Sequence, residues 1–271
     1  MPDMKIGVVG AAGRMGGTVV RQVTETEGCV VAAASEIPDS DAVGRDAGEL
    51  AGIGPLGVKV IDDAAALFDQ VDAVIEFSVP EATTAHARRA AAAGCIHIIG
   101  TTGLTPDQEE VLREAGEKTP IMYAPNMSLA VNILFALTRQ VAGMLEDDFD
   151  IEIVEMHHRH KVDAPSGTAL GLGRAAAEGR GVVLDDVGVL SREGQTGERR
   201  RGDIGFATLR GGDVTGDHTV VFAADGERLE LTHKSSSRQI FSRGAVRAAL
   251  WARDQKPNFY TMFDVLGLSN D

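Results

Sequence analysis

Along the first half of the chain, short apolar runs alternate with amphipathic or alanine-rich stretches. The apolar runs cover residues 5–10, 29–35, 57–61, 72–77, 95–99 and 120–123. Helical patterns lie between them at 14–27, 63–68, 81–93 and 106–115. Strands alternating with helices predict a parallel, doubly wound sheet. A long helix over 128–145 then leads out of this region, and the grammar changes. Residues 150–156, 187–191, 204–210, 218–223 and 228–233 read as strands, separated mostly by Gly/Asp turns. Residues 242–253 are helical again and are expected to pack back onto the first part. The predicted plan is α/β: a Rossmann-like doubly wound parallel sheet over 1–128, completed by a C-terminal helical segment 239–271. A second α+β domain over 129–238 carries a mixed or antiparallel sheet.

The first strand runs into Gly10-Ala11-Ala12-Gly13-Arg14-Met15-Gly16. Glycine permits a tight strand-to-helix turn and lets backbone N–H groups approach a pyrophosphate at the positive end of the helix. The spacing by itself is weak, because glycine-rich turns are common. Here it follows a strand, opens a helix and precedes Glu36, an acid at the end of the second strand placed to accept the ribose hydroxyls of a dinucleotide. A carboxylate there repels a 2′-phosphate and Ile37 beside it supplies no positive charge, which favours NADH; Arg14 is the one residue that could assist NADPH. Two more loops lie at strand ends where α/β ligands bind, Phe77-Ser78-Val79-Pro80 and Gly100-Thr101-Thr102-Gly103. Ala124-Pro125-Asn126-Met127 is a third candidate for closing over the nicotinamide.

The segment Glu155-Met156-His157-His158-Arg159-His160-Lys161-Val162-Asp163-Ala164-Pro165-Ser166-Gly167-Thr168 concentrates chemistry. His157 and Lys161 are candidate proton donors, since imidazole titrates near neutrality and a desolvated ammonium can be tuned down. His158, Arg159 and His160 add donors for carboxylates. Gly167 and Thr168 present N–H groups at the start of a helix, a position suited to an anion. A metal site is disfavoured: adjacent imidazoles on a strand face opposite ways, and no Cys or paired carboxylates complete a ligand set. An exposed basic loop without a role is the bland alternative. His86 and His97 read as structural, Arg199-Arg200-Arg201 as a solvated loop with a lesser reading as a phosphate or substrate contact, and His218 and His233 are expected near the surface of the second sheet, without a role.

Composition narrows the picture further. A net charge of −14 argues against nucleic acid or an anionic membrane as a partner, and makes the basic cluster stand out. No apolar run approaches a membrane span, and no signal pattern opens the chain, which places the protein in the cytoplasm. The two cysteines, Cys29 and Cys95, read as inert core thiols.

With these residues assembled, the chain resembles the 4-hydroxy-tetrahydrodipicolinate reductase (dihydrodipicolinate reductase) family. The resemblance rests on the motifs at 10–16, 100–103 and 155–168, on Ser191-Arg-Glu-Gly-x-Thr-Gly197, Ile204-Gly-Phe-Ala207 and His233-Lys-x-Ser-Ser-Arg238. It runs nearly end to end, and the long central motif is highly specific. The resemblance implies reduction of 4-hydroxy-tetrahydrodipicolinate, through dihydrodipicolinate, to tetrahydrodipicolinate in lysine and diaminopimelate biosynthesis. It implies a first domain binding NAD(P)H, with contacts at Gly10 to Met15, Glu36, Gly100 to Thr102 and Ala124 to Met127. The second domain would hold a small heterocyclic dicarboxylate and form a homotetramer. His157 would be the proton donor and Lys161 the other catalytic residue, with His158, Gly167 and Thr168 binding substrate. Many members have arginine after the ribose-binding acid; Ile37 stands here instead, which again leans toward NADH.

Rival readings are an NAD-binding regulator without turnover and another NAD-dependent dehydrogenase of amino-acid metabolism. A regulator has no need of the proton-donor cluster, and an amino-acid dehydrogenase does not require it. A semialdehyde dehydrogenase needs a cysteine nucleophile in its catalytic domain; both cysteines fall in strands of the first domain.

Overall fold

The computed structural model describes residues 2–268, which divide into two compact units, one of residues 2–129 with 238–268 and one of residues 130–237. In the first, β1 (Met4–Val9) is followed by α1 (Arg14–Glu25), β2 (Cys29–Ser35), α2 (Ala47–Ala51), β3 (Val60–Ile61) and α3 (Ala64–Phe68). Then come β4 (Ala73–Glu76), α4 (Pro80–Ala93), β5 (Ile96–Ile99), α5 (Pro106–Gly116) and β6 (Pro120–Tyr123).

The second unit takes α6 (Leu129–Met144), β7 (Asp150–His157), α7 (Gly167–Gly179), α8 (Leu184–Val187), β8 (Gly188–Val189), β9 (Ile204–Arg210), β10 (Gly216–Ala224) and β11 (Glu227–Ser235). The chain then returns to the first unit as α9 (Gln239–Ala252), β12 (Asn258–Tyr260) and α10 (Met262–Leu266).

The first sheet has seven strands in the order β12-β6-β5-β4-β1-β2-β3, every neighbouring pair parallel. Strands β4, β5 and β6 are buried throughout, because helices cover both faces. One face packs α1 and α9 over Ile6, Val8, Ile75 and Ile98; the other packs Leu67, Phe68 and Leu112 over Val74, Ile99 and Ile121. The order reverses beside β1, so a crevice opens at the C-terminal ends of β1 and β4, where α/β ligands bind.

The second sheet runs β11-β10-β7-β9-β8 and is mixed: β10 is antiparallel to β11 and β7, whereas β9 is parallel to β7 and β8. Strand β7 alternates strictly, with Ile151, Ile153, Glu155 and His157 on the buried face. Helices α6 and α7 cover that face, against Phe206, Val220 and Phe222. Each such side chain taken fully from water contributes about 1.5–3 kcal/mol.

The expected α/β plan with a mixed second sheet is what the structure has. It differs in detail where elements are short. The run 187–191 is a strand only at Gly188–Val189, preceded by the single turn of α8, and 57–61 shortens to Val60–Ile61. Helix α2 starts at Asp46, whose carboxylate accepts the Gly48 and Glu49 amides and also those of Leu56 and Gly57. Strand β12 is an edge strand of Asn-Phe-Tyr, too short for a periodic signal, and exists because β6 offers it a partner.

Candidate active site

The turn after β1 is built from backbone. Gly10 sits at φ +69°, and a Cβ on Gly16 would stand 2.0 Å from the Gly10 carbonyl oxygen, so helix α1 passes the strand end as closely as chains allow. The N-cap is Gly13, which has no side chain to cap with, and the first turn holds no acidic residue. The first-turn amides of α1 and its positive end suit a pyrophosphate. Glu36, half-buried at the end of β2, accepts N–H from Ala12 at 3.0 Å and from Ile37 at 3.1 Å, which fixes its carboxylate against the turn. Arg14 is exposed, as is Ile37 at 72%. The residues present therefore fit a dinucleotide.

The other three candidate loops end β4, β5 and β6, on the same edge of the sheet. Gly100 lies under the Phe77 ring, where a Cβ would meet ring carbons at 2.2 Å. Thr101 is buried, its hydroxyl accepting the Ser78 N–H at 3.1 Å and meeting the Thr83 hydroxyl at 2.8 Å. Its side chain thus serves the fold, and what it offers a ligand is backbone; Thr102 is exposed. Ala124 and Met127 put their side chains into the core, while Pro125 is exposed and Asn126 accepts the Ser128 N–H at 2.9 Å.

In the second unit the buried face of β7 ends in two polar side chains. Glu155, 1% exposed, is the hub. It accepts His157 Nδ1–H at 2.6 Å, both Arg210 nitrogens at 2.8 and 3.0 Å, and the Ser166 N–H at 3.0 Å. Strand register produces this: His218 of β10 stands opposite Glu155, and Arg210 of β9 opposite His157. His218 shares a hydrogen bond of 3.0 Å with the Ser166 hydroxyl, which caps α7 by accepting the Ala169 N–H at 3.1 Å. The His157 and His218 rings meet edge to face at 5.1 Å. Past the strand, Lys161 Nζ donates to Asp163 at 2.8 Å, and the His158 N–H is held by the Val214 carbonyl at 2.7 Å. His158 lies beside His160, ring centroids 6.1 Å apart, and Arg159 and His160 are exposed. Gly167 and Thr168 form the first turn of α7, which carries no acid.

Burial would raise Glu155, but the Arg210 donors, His157 and the Ser166 amide overcome it and hold it below the usual carboxylate range. His157 is lowered, first by burial and then by Lys161 and Arg210, with Glu155 opposing. His218 is pushed down to about 4, chiefly by burial and by the neighbouring His157. His157 is thus a neutral imidazole at pH 7, its Nδ1–H given to a fixed carboxylate. Its Nε2 points toward Gly216, where even a Cβ would lie only 3.0 Å away. The free nitrogen can take one proton and pass it on, and beyond Glu155 the charged groups that act on it, Lys161 and Arg210, are cationic. Such a site suits an anion that must be protonated.

Comparison with known proteins supplies the decisive observation. The description "Dihydrodipicolinate reductase, N-terminus" matches residues 4–127, and "Dihydrodipicolinate reductase, C-terminus" matches 130–266. The chain belongs to the dihydrodipicolinate reductase family. The 4-hydroxy-tetrahydrodipicolinate reductase of Rhodopseudomonas palustris (strain BisB18) is 56% identical over 270 residues, 100% of both chains. That of Afipia carboxidovorans is 53% identical over 270 residues, 100% of this chain and 99% of the other. A dipicolinate-bound dihydrodipicolinate reductase from Paenisporosarcina sp. TG-14 shares the fold at TM-score 0.74 and 23% identity, covering 97% of this chain and 98% of that one. The family and activity expected from the central motif are thereby met, and the chain is an oxidoreductase with an NAD(P)-binding fold.

Within this reductase, sequence reasoning passed over Glu155, Ser166, Arg210 and His218, the groups that hold His157 and the start of α7. For Glu155 a signal existed: two residues before His157 on a strand is the same face. One expectation is corrected. Arg199 is not solvated; its guanidinium binds Glu152, Asp150 and the carbonyls of Ile151 and Asp203, while Arg192 grips Glu152 with two nitrogens. The loop before β9 is thereby tied to the outer side of β7. Both cysteines are free and buried, and burial pushes Cys95 up to about 12.

Proposed function

We propose that this chain reduces 4-hydroxy-tetrahydrodipicolinate, through dihydrodipicolinate, to tetrahydrodipicolinate, with NADH preferred and NADPH usable. The observation that carries the reading is the Glu155–His157 pair, clamped by Arg210 and joined through the Ser166 amide to the capped start of α7. When bound, NAD(P)H supplies a hydride to the unsaturated ring. Gly10, Ala11, Ala12, Gly13, Arg14 and Met15 would hold the pyrophosphate, Glu36 the adenosine ribose, and Gly100, Thr101, Thr102 and Ala124 to Met127 the nicotinamide half.

The chain's own residues manage anions and protons. The amides of Gly167 and Thr168 and the His158 ring would bind carboxylates. Hydride addition to a conjugated ring leaves an electron pair that must take a proton. His157 and Lys161 would supply it, His157 through Nε2 in its protonated form, because Glu155 occupies Nδ1. Asp163 would hold the Lys161 ammonium until a substrate carboxylate competes for it.

The same reading includes a cytoplasmic homotetramer acting in lysine and diaminopimelate biosynthesis. Reduced cysteines favour that compartment, and among the described residues no helix is long and apolar enough to cross a membrane. For the assembly, β11 is an edge strand with Leu229 exposed, and a shallow pocket beside it is lined by Ala130, Ile133, Leu134, Leu137 and Leu231.

NADH absorbance followed with freshly generated 4-hydroxy-tetrahydrodipicolinate tests the activity, and repetition with NADPH tests the preference. No oxidation with either cofactor rejects the reaction, and a kcat/KM with NADPH equal to or above that with NADH rejects the assignment of Glu36 and Ile37.

A further inference from the structure

The first unit buries a charged network that the reaction does not use. Glu76, the last residue of β4, is fully buried. His86 of α4 lies 3.0 Å from one carboxylate oxygen, and His97 of β5 lies 2.7 Å from the other at an angle short of a hydrogen bond. The Phe68 ring closes the group, its centroid 5.7 Å from His86 and 5.5 Å from His97. A buried carboxylate is costly, and burial pushes its pKa up; the two imidazoles reverse this and hold it ionised. A leucine at this position would fill a core with no such cost. The charge is therefore retained for what it holds.

What it holds is the pair of loops beyond it. The Ser78 hydroxyl donates to Glu76 and lies 3.2 Å from the Thr83 hydroxyl. Thr83 in turn meets Thr101 at 2.8 Å, and the Thr101 hydroxyl accepts the Ser78 N–H at 3.1 Å, closing the ring. Thr83 and Thr101 are both buried, so water does not compete for these bonds. Phe77, between Glu76 and Ser78, lays its ring on Gly100. One carboxylate thus sets the conformation of residues 77–80 and, through two hydroxyls, of residues 100–103.

We propose that Glu76 is a positioning residue for cofactor binding: its carboxylate, held between His86 and His97, fixes through Ser78, Thr83 and Thr101 the two loops that receive the nicotinamide half of NAD(P)H. The inference rests on reading that sheet edge as the cofactor site. It makes a distinction that a purely structural role does not. The adenosine half would be held by residues 10–15 and Glu36, and among the described residues no hydrogen bond joins these to Ser78, Thr83 or Thr101, so only the nicotinamide half should suffer.

Glu76→Gln and Ser78→Ala are to be titrated calorimetrically with NADH and with ADP-ribose, which lacks nicotinamide. NADH Kd is expected to rise about tenfold, the effect of losing one charge-assisted hydrogen bond, while ADP-ribose Kd stays within about twofold of wild type. Folded variants that bind NADH like wild type, or lose both ligands equally, overturn the proposal. If Glu76→Gln does not fold, Ser78→Ala decides alone, since it keeps the carboxylate with its histidines and removes only the link. A wild-type chain that binds neither nucleotide rejects the cofactor reading itself, and the proposal with it.

Discussion

Glu76 and Glu155 are both buried acids at strand ends, one in each unit, and both touch histidine. They differ in the second partner. Glu76 has another imidazole, His97, whereas Glu155 has a guanidinium bound through two nitrogens. A guanidinium stays protonated at any working pH, so the charge of Glu155 is matched whatever His157 does. That leaves His157 free to change protonation during a reaction without stranding a buried charge. At Glu76 both partners are imidazoles, with no guanidinium beside them. The arrangement with arginine suits a site where protons move; the one without it suits a site that only has to hold still.

The largest effect expected on this contrast is at Lys161. Lys161→Ala should cut kcat by about 10²–10⁴ while NADH Kd, measured by fluorescence titration, stays within about twofold. Lost NADH binding would move the lysine from proton chemistry to the cofactor. Next comes Arg210→Met, which leaves Glu155 buried beside a neutral imidazole. Urea unfolding should show a loss of about 3 kcal/mol, at the lower end for a broken buried pair because the Arg210 side chain is 21% exposed. A loss no larger than for Arg113→Met, an exposed arginine of α5 that pairs with Glu109 and Glu110 at 3.9 Å, would mean the guanidinium is not what balances Glu155.

Acid stability tests the same face of β7. His218 has a folded pKa of about 4 against 6.5 in the unfolded chain, so between those values the unfolded state takes up a proton that the folded state refuses. Stability from this group is full above pH 6.5 and falls by roughly 3 kcal/mol as pH drops toward 4. His218→Gln should flatten that slope in pH-dependent urea titrations. The smallest effect concerns His157. Its lowered pKa puts the decline of kcat/KM with rising pH below the ordinary imidazole range. Glu155→Gln removes what opposes the lowering and should move that limb to lower pH still. A limb that does not move would assign the proton to Lys161 instead.

Much of this was legible along the chain. The parallel sheet followed from apolar runs and helices in alternation, and the glycine turn with Glu36 followed from local spacing. The strand reading of 150–156 already carried the parity that puts Glu155 with His157. Arg199 was less legible: a run of three arginines resembles a solvated loop until Glu152 and Asp150 appear on the neighbouring strand.

By itself the sequence determined what is local: which segments are strands and helices, where the chain turns on glycine, and that one strand end carries imidazoles, an ammonium and a helix start. Only the tertiary structure decided what those groups are bonded to. Arg210 reaches Glu155 across 55 residues and His218 reaches Ser166 across 52, because β9 and β10 flank β7 in that register. Glu76 meets His97 because β5 lies beside β4. Strand order and register are settled by the whole core, through burial of apolar faces distant in sequence. No run of residues around His157 or Glu76 contains that information.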